Sequence, residues 1–284
     1  MDAAVSVSEG ATAAHKERQL DAWLREQGSV LVGYSGGVDS AYLACVARDV
    51  LGRENMLAVV GRSAAYPQQQ WDHAVAVAER FDLPLVDLPT DELDNPLYAA
   101  NPTNRCFHCK TVLWHTLLPL AAQRGLAVVV DGTNADDIAD YRPGQRAASE
   151  HGVRSPLAEI GFTKSEIRAL SRGRGIPGWA NPSSPCLASR LPYGFEVTTA
   201  RLAQVERAEA ALRALGIGGD MRVRHHGDLA RIELEQNELT RWLAPAARRA
   251  LRLAVVSSGF QRVALDLRGF RSGSLNVLSG VTAA

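Results

Sequence analysis

The sequence predicts an α/β fold, in which a parallel sheet with helices on both faces is followed by a smaller α+β domain. The first observation is that short apolar runs alternate with helical stretches between Ser29 and about Asp131. The second is that these runs are unbroken, which is typical of strands buried on both faces of a parallel sheet. The third is that the order changes to α-β-β-α-β after residue 196, which favours a separate α+β unit.

The elements of the parallel sheet can be assigned in chain order. The predicted strands are the apolar runs at residues 30–34, 57–60, 84–87 and 127–131. The predicted helices between them cover residues 41–51, 68–81 and 111–123. A further helix begins near Thr163, because Thr163 and Glu166 have the spacing of a capping box, in which each side chain bonds the free backbone N–H of the other residue.

The second unit follows a stretch rich in glycine, proline and serine at residues 173–192, which we interpret as a linker or an active-site loop. Its predicted elements are a helix, two strands around a Gly227-Asp228 turn, a second helix and a last strand. They cover residues 199–215, 221–226, 229–235, 239–253 and 262–267.

These changes of pattern divide the chain into four segments. Residues 1–15 are small and polar without the apolar core of a signal peptide, so we expect a disordered tail. Residues 16–175 are expected to form the parallel-sheet domain and residues 176–196 the loop that carries Cys186. Residues 197–284 are expected to form the small α+β domain.

Charge and cysteine content narrow the range of functions. The chain has 31 Lys and Arg against 31 Asp and Glu, so no overall field attracts nucleic acid or an anionic membrane. No apolar run approaches the roughly 20 residues that cross a bilayer. The four cysteines come without an export signal, which favours a cytoplasmic location and metal or nucleophilic roles over disulfides.

The segment Ser35-Gly36-Gly37-Val38-Asp39-Ser40 follows the first predicted strand and has the character of a phosphate-binding loop. Glycines let backbone N–H groups face an anion, and the following helix N-terminus adds a favourable dipole. Ser35 and Ser40 supply hydroxyl donors, and Asp39 can orient Mg²⁺ or a leaving pyrophosphate. The loop lacks the spacing of a γ-phosphate-transferring loop. The structural alternative is a tight strand-to-helix turn.

This segment resembles the PP-loop ATP pyrophosphatase superfamily, with its adenine nucleotide α-hydrolase-like fold. The resemblance implies cleavage of ATP between its α and β phosphates and adenylation of a carbonyl or carboxylate oxygen. A second similar segment, Asp131-Gly132-Thr133-Asn134-Ala135-Asp136-Asp137, ends a later strand, where open α/β sheets place ligands. We expect Gly132 and Thr133 beside the nucleotide and Asp137 near Mg²⁺-ATP. The alternative is a polar turn that caps a helix.

The cysteines differ in their surroundings. Cys45 lies among alanines and valines of a predicted helix and is expected in the core. Cys106 and Cys109 are separated by two residues, which suits a metal, a cluster or a redox pair but supplies too few ligands alone. Cys186 lies in the irregular stretch, where Arg190 and loop N–H groups can stabilise a nucleophilic thiolate. The alternative for Cys186 is a half-buried loop cysteine.

Nearly the whole chain from about residue 16 is similar to the LarE-type (sacrificial) ATP-dependent sulfur transferases. The similarity rests on the order and spacing of several segments. They are residues 35–40, Asn104-Arg105-Cys106-Phe107-His108-Cys109-Lys110, residues 131–137, Pro185-Cys186-Leu187-Ala188-Ser189-Arg190, residues 222–227, residues 230–233 and residues 266–276.

The resemblance implies a role in making the nickel-pincer nucleotide, the cofactor of lactate racemase. ATP would adenylate a carboxylate of pyridinium-3,5-biscarboxylic acid mononucleotide, and Cys186 would attack to give a thioester. Cleavage of the Cβ–S bond then leaves a thiocarboxylate on the product and dehydroalanine in the protein. Other members hold three cysteines around a 4Fe-4S cluster, and Cys106, Cys109 and Cys186 match that arrangement. The role of Cys186, consumed nucleophile or cluster ligand, stays open at this point.

Charged residues of the second unit are candidates for binding the substrate phosphate and carboxylates, because arginine pairs bidentately with both. They are Arg224, Arg231, Glu233, Asp266, Arg268 and Arg271. The alternative for each is a surface charge or a structural ion pair. Ser189 and Arg190 adjoin Cys186, and we expect both to act with it. By resemblance, the small domain also builds a homo-oligomer, a hexamer of two trimers. The competing functions are a PP-loop tRNA thiolase and an adenine-nucleotide sensor without turnover.

Overall fold

A computed structural model describes residues 2–138, 143–182 and 185–271, with side chains from residue 12 onward. Its first sheet has the strands β1 (Val30–Gly33), β2 (Met56–Arg62), β3 (Leu85–Pro89) and β4 (Val128–Asp131). All pairs are parallel, in the order β3-β2-β1-β4. The predicted parallel sheet is therefore confirmed. Gly33 lies opposite Asp131, so the ends of β1 and β4, where the two predicted nucleotide segments begin, lie side by side.

The helices up to the second unit include several that the sequence did not predict. They are α1 (Asp2–Gln27), α2 (Val38–Leu51), α3 (Gln68–Arg80), α4 (Pro96–Ala99), α5 (Arg105–Gln123), α6 (Ala135–Ile138), α7 (Pro143–Glu150), α8 (Pro156–Ile160) and α9 (Lys164–Gly173). The capping box of Thr163 and Glu166 is confirmed at the start of α9.

Both faces of the first sheet are covered. Val30 and Val32 face one core, which also contains residues of α1 and α2, whereas Leu31 faces a second core with Trp114 of α5. Successive residues of a strand point to opposite faces. A strand that is buried on both faces must therefore be apolar at every position, which explains the unbroken runs.

The amino-terminal helix α1 differs from the expected disordered tail over residues 1–15. Ala13 is buried, and Leu20 and Leu24 are completely buried one turn apart in the first core. The stretch is rich in alanine, the residue with the highest helix propensity. Because Leu20 and Leu24 anchor the helix to the sheet, the helix can extend back into the stretch that composition alone assigned to a tail.

The second sheet contains β5 (Met221–His226), β6 (Leu229–Leu234) and β7 (Arg262–Leu265), in the order β5-β6-β7. The first pair is antiparallel and the second parallel. The turn between β5 and β6 uses Gly227 at φ +70°. Its helices are α10 (Thr199–Ala214), α11 (Gln236–Trp242) and α12 (Pro245–Val256). The single helix predicted at 239–253 is wrong, because Pro245 starts a new helix at a position that proline favours.

The stretch between the two sheets is largely irregular but not loose. A 3-10 turn spans Leu187–Arg190, and its Leu187 and Ala188 are buried in the core of the second sheet together with Tyr98 of α4. The bounds of the four predicted segments stay a prediction. Among the described residues, no helix combines the length and hydropathy needed to cross a membrane.

Candidate active site

The glycine loop between β1 and α2 is closed by its own serines. The N–H of Ser35 donates to Oγ of Ser40 at 3.1 Å, and that Oγ donates to the carbonyl of Gly37 at 3.1 Å. Gly36 has φ +68°, and a Cβ there would lie 2.8 Å from the Cβ of Ala74. The loop therefore needs glycine at position 36 for both conformation and space.

The second predicted nucleotide segment lies directly against this loop. A Cβ on Gly132 would lie 2.7 Å from the backbone nitrogen of Ser40, so only glycine lets β4 end this close to α2. Asp131 is buried, and its Oδ1 accepts from the N–H of Thr133 at 3.0 Å and from Oγ of Ser155 at 2.7 Å. The structure thus brings Gly132 to the start of α2, and the expected contact of Gly132 and Thr133 with a nucleotide stays a prediction.

Asp39 forms an ion pair that the sequence did not reveal. Nζ of Lys164, the first residue of α9, lies 2.5 Å from Oδ2 of Asp39. Burial raises the pKa of Asp39; Lys164 lowers it in part, and Asp137 raises it again. In the described part of the chain, the buried Oδ1 of Asp39 has no hydrogen-bond partner. A buried carboxylate oxygen without a donor, close to the carboxylate of Asp137, suits a divalent cation.

Lys164 also borders an open cleft of about 1110 Å³ on the outer face of α9. Arg168 and Arg172 line the same cleft, and the guanidinium of Arg172 lies 5.1 Å from the ring centroid of Trp179. Residues four apart share a helix face. The three cations therefore form a positive strip that begins at Asp39. The only local signal for Lys164 was its position beside the capping Thr163.

The loop that carries Cys186 is joined to the glycine loop. Leu187 donates its N–H to the carbonyl of Ala65 at 2.8 Å. The hydroxyl of the next residue, Tyr66, donates to the carbonyl of Ser35 at 3.0 Å. Cys186 is half-buried and carries a free thiol. This chain of hydrogen bonds fixes the cysteine relative to the predicted nucleotide site.

Arg190 holds the cysteine loop through its backbone carbonyls. Its side chain is 3% exposed, and it makes a two-pronged ion pair with Glu209 at 3.0 and 3.0 Å. Its remaining nitrogen donates to the carbonyls of Pro185 at 2.5 Å and Cys186 at 3.2 Å, and to Oγ of Ser189 at 3.1 Å. These contacts hold the carbonyls of the cysteine loop, and the expected action of Arg190 on the Cys186 thiolate stays a prediction.

The buried cation beside Cys186 is Arg105, which sequence reasoning did not select although it adjoins Cys106. Arg105 is 4% exposed and donates to the carbonyl of Ala188 at 3.0 Å and to Oδ1 of Asn101 at 2.5 Å. Burial alone would lower the pKa of Arg105, but Cys186 and Cys106 raise it above its ordinary value. The guanidinium of Arg105 therefore lies close enough to both sulfurs to interact with them electrostatically.

Cys106 and Cys109 lie in the first turn of α5, which starts six residues before the predicted helix. Burial raises the pKa of both thiols, and it is opposed at Cys106 by Arg105. Cys186 raises both pKa values further, so the three sulfurs lie close enough to influence each other. Cys106 is nevertheless accessible to solvent. Within the described ranges, however, no group of three His, Cys, Asp or Glu residues could hold a metal ion.

The charged residues of the second sheet form one network. Glu233 is 1% exposed and pairs with Arg224 at 2.8 Å and Arg231 at 2.9 Å. Arg231 also lies 3.6 Å from Asp266. Arg224 donates to the carbonyl of Ser189 at 2.9 Å, which connects the network to the cysteine loop. Four of the predicted substrate residues are therefore together, and Arg224 connects them to the turn that follows Cys186.

The two remaining predicted substrate residues lie further out. Arg268 is exposed and lies 3.4 Å from Asp266, and Arg271 is exposed at the end of the described range. Sequence reasoning also missed Arg222, which is buried next to Arg190 and Arg224. Burial, and then Arg190, lower the pKa of Arg222 to about 10. The signal in the sequence was that Arg222 and Arg224 are two residues apart on β5, so that both side chains point to the same face of the sheet.

Comparison with known proteins assigns the family. An uncharacterized protein of Synechocystis sp. is 43% identical over 92% of this chain and 97% of that protein. A pyridinium-3,5-bisthiocarboxylic acid mononucleotide synthase of Lactiplantibacillus plantarum is 39% identical over 94% of this chain and 95% of that enzyme. The chain belongs to the LarE family.

More distant matches agree with the position of the glycine loop in this LarE-family chain. The NAD synthase family model matches residues 16–102, which include that loop. A tRNA-specific 2-thiouridylase of Chlorobium luteolum is 29% identical over 62% of this chain and 56% of that enzyme. The match to the Lactiplantibacillus protein, by contrast, spans both sheets. The predicted family and its PP-loop character are therefore confirmed.

Proposed function

We propose that the chain is an ATP-dependent sulfur transferase of nickel-pincer nucleotide biosynthesis, the pathway that supplies lactate racemase. It adenylates a carboxylate of pyridinium-3,5-biscarboxylic acid mononucleotide, releases pyrophosphate, and replaces AMP by sulfur. One observation carries this proposal. Arg105 of α5 binds the carbonyl of Ala188 and Arg224 of β5 binds that of Ser189, so the turn after Cys186 is held between the helix that carries Cys106 and Cys109 and the arginine network.

ATP and Mg²⁺ fit the first half of the site. The glycines at positions 36, 37 and 132 lack a Cβ that would hinder the approach of a pyrophosphate to the backbone, Ser35 and Thr133 add hydroxyl donors, and Ser40 holds the loop closed through its own hydroxyl. Asp39, through its unpartnered Oδ1, and Asp137 would hold Mg²⁺, which neutralises phosphate charge when bound. Lys164 then orients Asp39 and provides a second positive charge.

The arginine network fits an anionic mononucleotide. Arg224 and Arg231 are already paired with Glu233, so their guanidinium planes are fixed before a ligand arrives. Preorganised donors cost less entropy on binding than mobile ones. We propose that Arg224, Arg231, Glu233 and Asp266 build the substrate site and that Arg268 and Arg271 extend it toward solvent.

Cys186 is the proposed sulfur donor. The thiolate attacks the acyl-adenylate carbon, the C–S bond forms and the C–O bond to AMP breaks. AMP is a better leaving group than an oxide, and a thiolate is the strongest nucleophile available near neutral pH. Arg105 supplies the positive charge beside the attacking sulfur. Ser189 and Arg190 keep the loop in position.

A 4Fe-4S cluster on Cys106, Cys109 and Cys186 is the second sulfur source that the family resemblance suggests. The mutual influence of the three thiols favours it, but the described residues do not form a group that fits a metal ion. We therefore assign no step to a cluster. Iron determination on anaerobically purified protein tests this choice, and about four iron atoms per chain would argue against Cys186 as the donor.

The proposed function is tested by substrate-dependent release of pyrophosphate together with detection of the thiocarboxylate. Pyrophosphate release that needs the pyridinium dicarboxylate excludes a nucleotide sensor. Specific tRNA binding that weakens steeply with salt would instead favour the tRNA thiolase. The free thiols suit a reducing cytosol. A hexamer is the proposed assembly, and light scattering measures it.

A further inference from the structure

Tyr98 is a buried residue of α4 with no role in the proposed function so far. Its side chain is 1% exposed and lies in the core of the second sheet with Leu187 and Ala188. Cys109 and Cys186 pack against the same core. Tyr98 therefore lies in the core against which two of the three thiols of the proposed sulfur site pack.

The hydroxyl of Tyr98 is unusual among the buried tyrosines. In the described part of the chain it has no hydrogen-bond partner. By contrast, the hydroxyl of Tyr42 donates to Glu17 at 3.0 Å and that of Tyr34 donates to the carbonyl of Ala74 at 3.1 Å. Burying a hydroxyl without a partner is unfavourable, and such groups in native proteins often serve a ligand or a reaction.

The titratable groups that influence this hydroxyl include two of the three thiols of the proposed sulfur transfer site, Cys109 and Cys186. Burial raises the pKa of Tyr98, and Cys186, Cys109 and Glu92 raise it further. The phenol therefore stays protonated and can act only as a neutral donor or acceptor. Glu92 is engaged by Cys109, whose sulfur lies 3.8 Å from its carboxylate.

The segment that carries Tyr98 is clamped to the cysteine loop. Nδ2 of Asn101 donates to the carbonyls of Pro192 at 2.7 Å and Phe195 at 2.9 Å. Val197 donates its N–H to the carbonyl of Ala99 at 2.8 Å. These bonds join the segment of Tyr98 to residues 192–197, which directly follow the 3-10 turn after Cys186.

We propose that the hydroxyl of Tyr98 donates a hydrogen bond to the sulfur as it leaves Cys186. This inference rests on the proposed function. In that step the Cα proton of Cys186 passes to a general base, a Cα–Cβ double bond forms, and the Cβ–S bond breaks. The electron pair of that bond ends on the sulfur of the thiocarboxylate. A preorganised donor at the site of developing negative charge stabilises the transition state.

The test compares Tyr98→Phe with Tyr42→Phe, which removes a hydroxyl that is hydrogen-bonded and lies outside the proposed site. For Tyr98→Phe we expect unchanged pyrophosphate release and an unchanged substrate KM. The single-turnover rate of thiocarboxylate formation should fall roughly ten- to a hundredfold, as for loss of a donor to a charged group. Its Tm should stay the same or rise, whereas the Tm of Tyr42→Phe should fall with sulfur transfer unchanged.

Two results overturn the inference. One is a wild-type rate of thiocarboxylate formation in Tyr98→Phe. The other is a loss of Tm as large as that of Tyr42→Phe, because the hydroxyl would then have a structural partner. Absence of thiocarboxylate from the wild-type enzyme is a different failure, since it removes the proposed function and this inference with it.

Discussion

Nζ of Lys164 lies 2.5 Å from Oδ2 of Asp39, which joins the first residue of α9 to the glycine loop. The pair connects two segments that are 125 residues apart in the chain. Because Lys164 lowers a pKa that burial raises, it keeps Asp39 ionised at a lower pH than Asp39 could reach alone. Ionised Asp39 is the form that the proposed Mg²⁺ site requires.

Lys164→Met should move the acidic limb of the adenylation rate to higher pH. Removing the cation leaves burial and Asp137, both of which raise the pKa of Asp39. The measurement is pyrophosphate release against pH at saturating substrate. Lys16→Met is the matched control, because Lys16 pairs with Glu166 of the same helix at 2.7 Å and should leave this limb in place. An identical pH profile in Lys164→Met and wild type would contradict the role of the pair.

Asp39→Asn should abolish adenylation and raise the Tm at neutral pH. A carboxyl whose folded-state pKa is raised stabilises the fold only below its unfolded pKa, and this contribution is lost as the pH rises through the folded pKa. A neutral amide avoids that loss. The gain in Tm should therefore be larger at neutral pH than in acid, which calorimetry at two pH values measures. Loss of the folded state would instead favour the glycine loop as a purely structural turn.

Gly132→Ala should destabilise the protein by about 1–3 kcal/mol, as overpacking does, and abolish ATP binding. The added Cβ would lie 2.7 Å from the backbone of Ser40, which cannot move without displacing the glycine loop. Gly218→Ala is the control, because nothing lies within 4 Å of its Cβ position. Urea titration and ATP binding measure the two effects. Tight ATP binding in Gly132→Ala would show that the two segments do not share a site.

Arg105→Met should slow the alkylation of Cys186 by iodoacetamide, because the buried cation beside the sulfur is lost. Peptide mass spectrometry measures the rate of this alkylation. Arg190→Met is the comparison. It leaves Glu209 without its partner and should cost about 3–5 kcal/mol of stability, as breaking a buried ion pair does. Faster alkylation of Cys186 in Arg105→Met would contradict the electrostatic role of Arg105.

Much of the fold could be predicted because its signals are local. The apolar runs of β1, β2 and β4 and the capping box at Thr163 each lie within a few residues. The proline that separates α11 from α12, Pro245, is an equally local signal, although the predicted helix at 239–253 runs through it. The start of α1 was not predictable from composition, because Leu20 and Leu24, which bind the helix to the core, lie after the stretch that was assigned to the tail.

The site was predictable only where one motif contains it. The glycine loop, the 131–137 segment and Cys186 could be selected one by one. The roles of Lys164 and Arg105 arise from contacts across 125 and 83 residues, and a single sequence carries no local signal for such pairs. For the same reason the ion pair of Arg190 with Glu209 was not predictable from the proximity of Arg190 to Cys186 in sequence.

The most direct test of the central claim is the intact mass of the protein after a single turnover. If Cys186 is the sulfur donor, each thiocarboxylate formed is matched by one chain that has lost the mass of hydrogen sulfide at Cys186. Cys186→Ala should then release pyrophosphate but form no thiocarboxylate. Thiocarboxylate formed at the normal rate by Cys186→Ala, or a Cys186 peptide of unchanged mass after turnover, would contradict the claim.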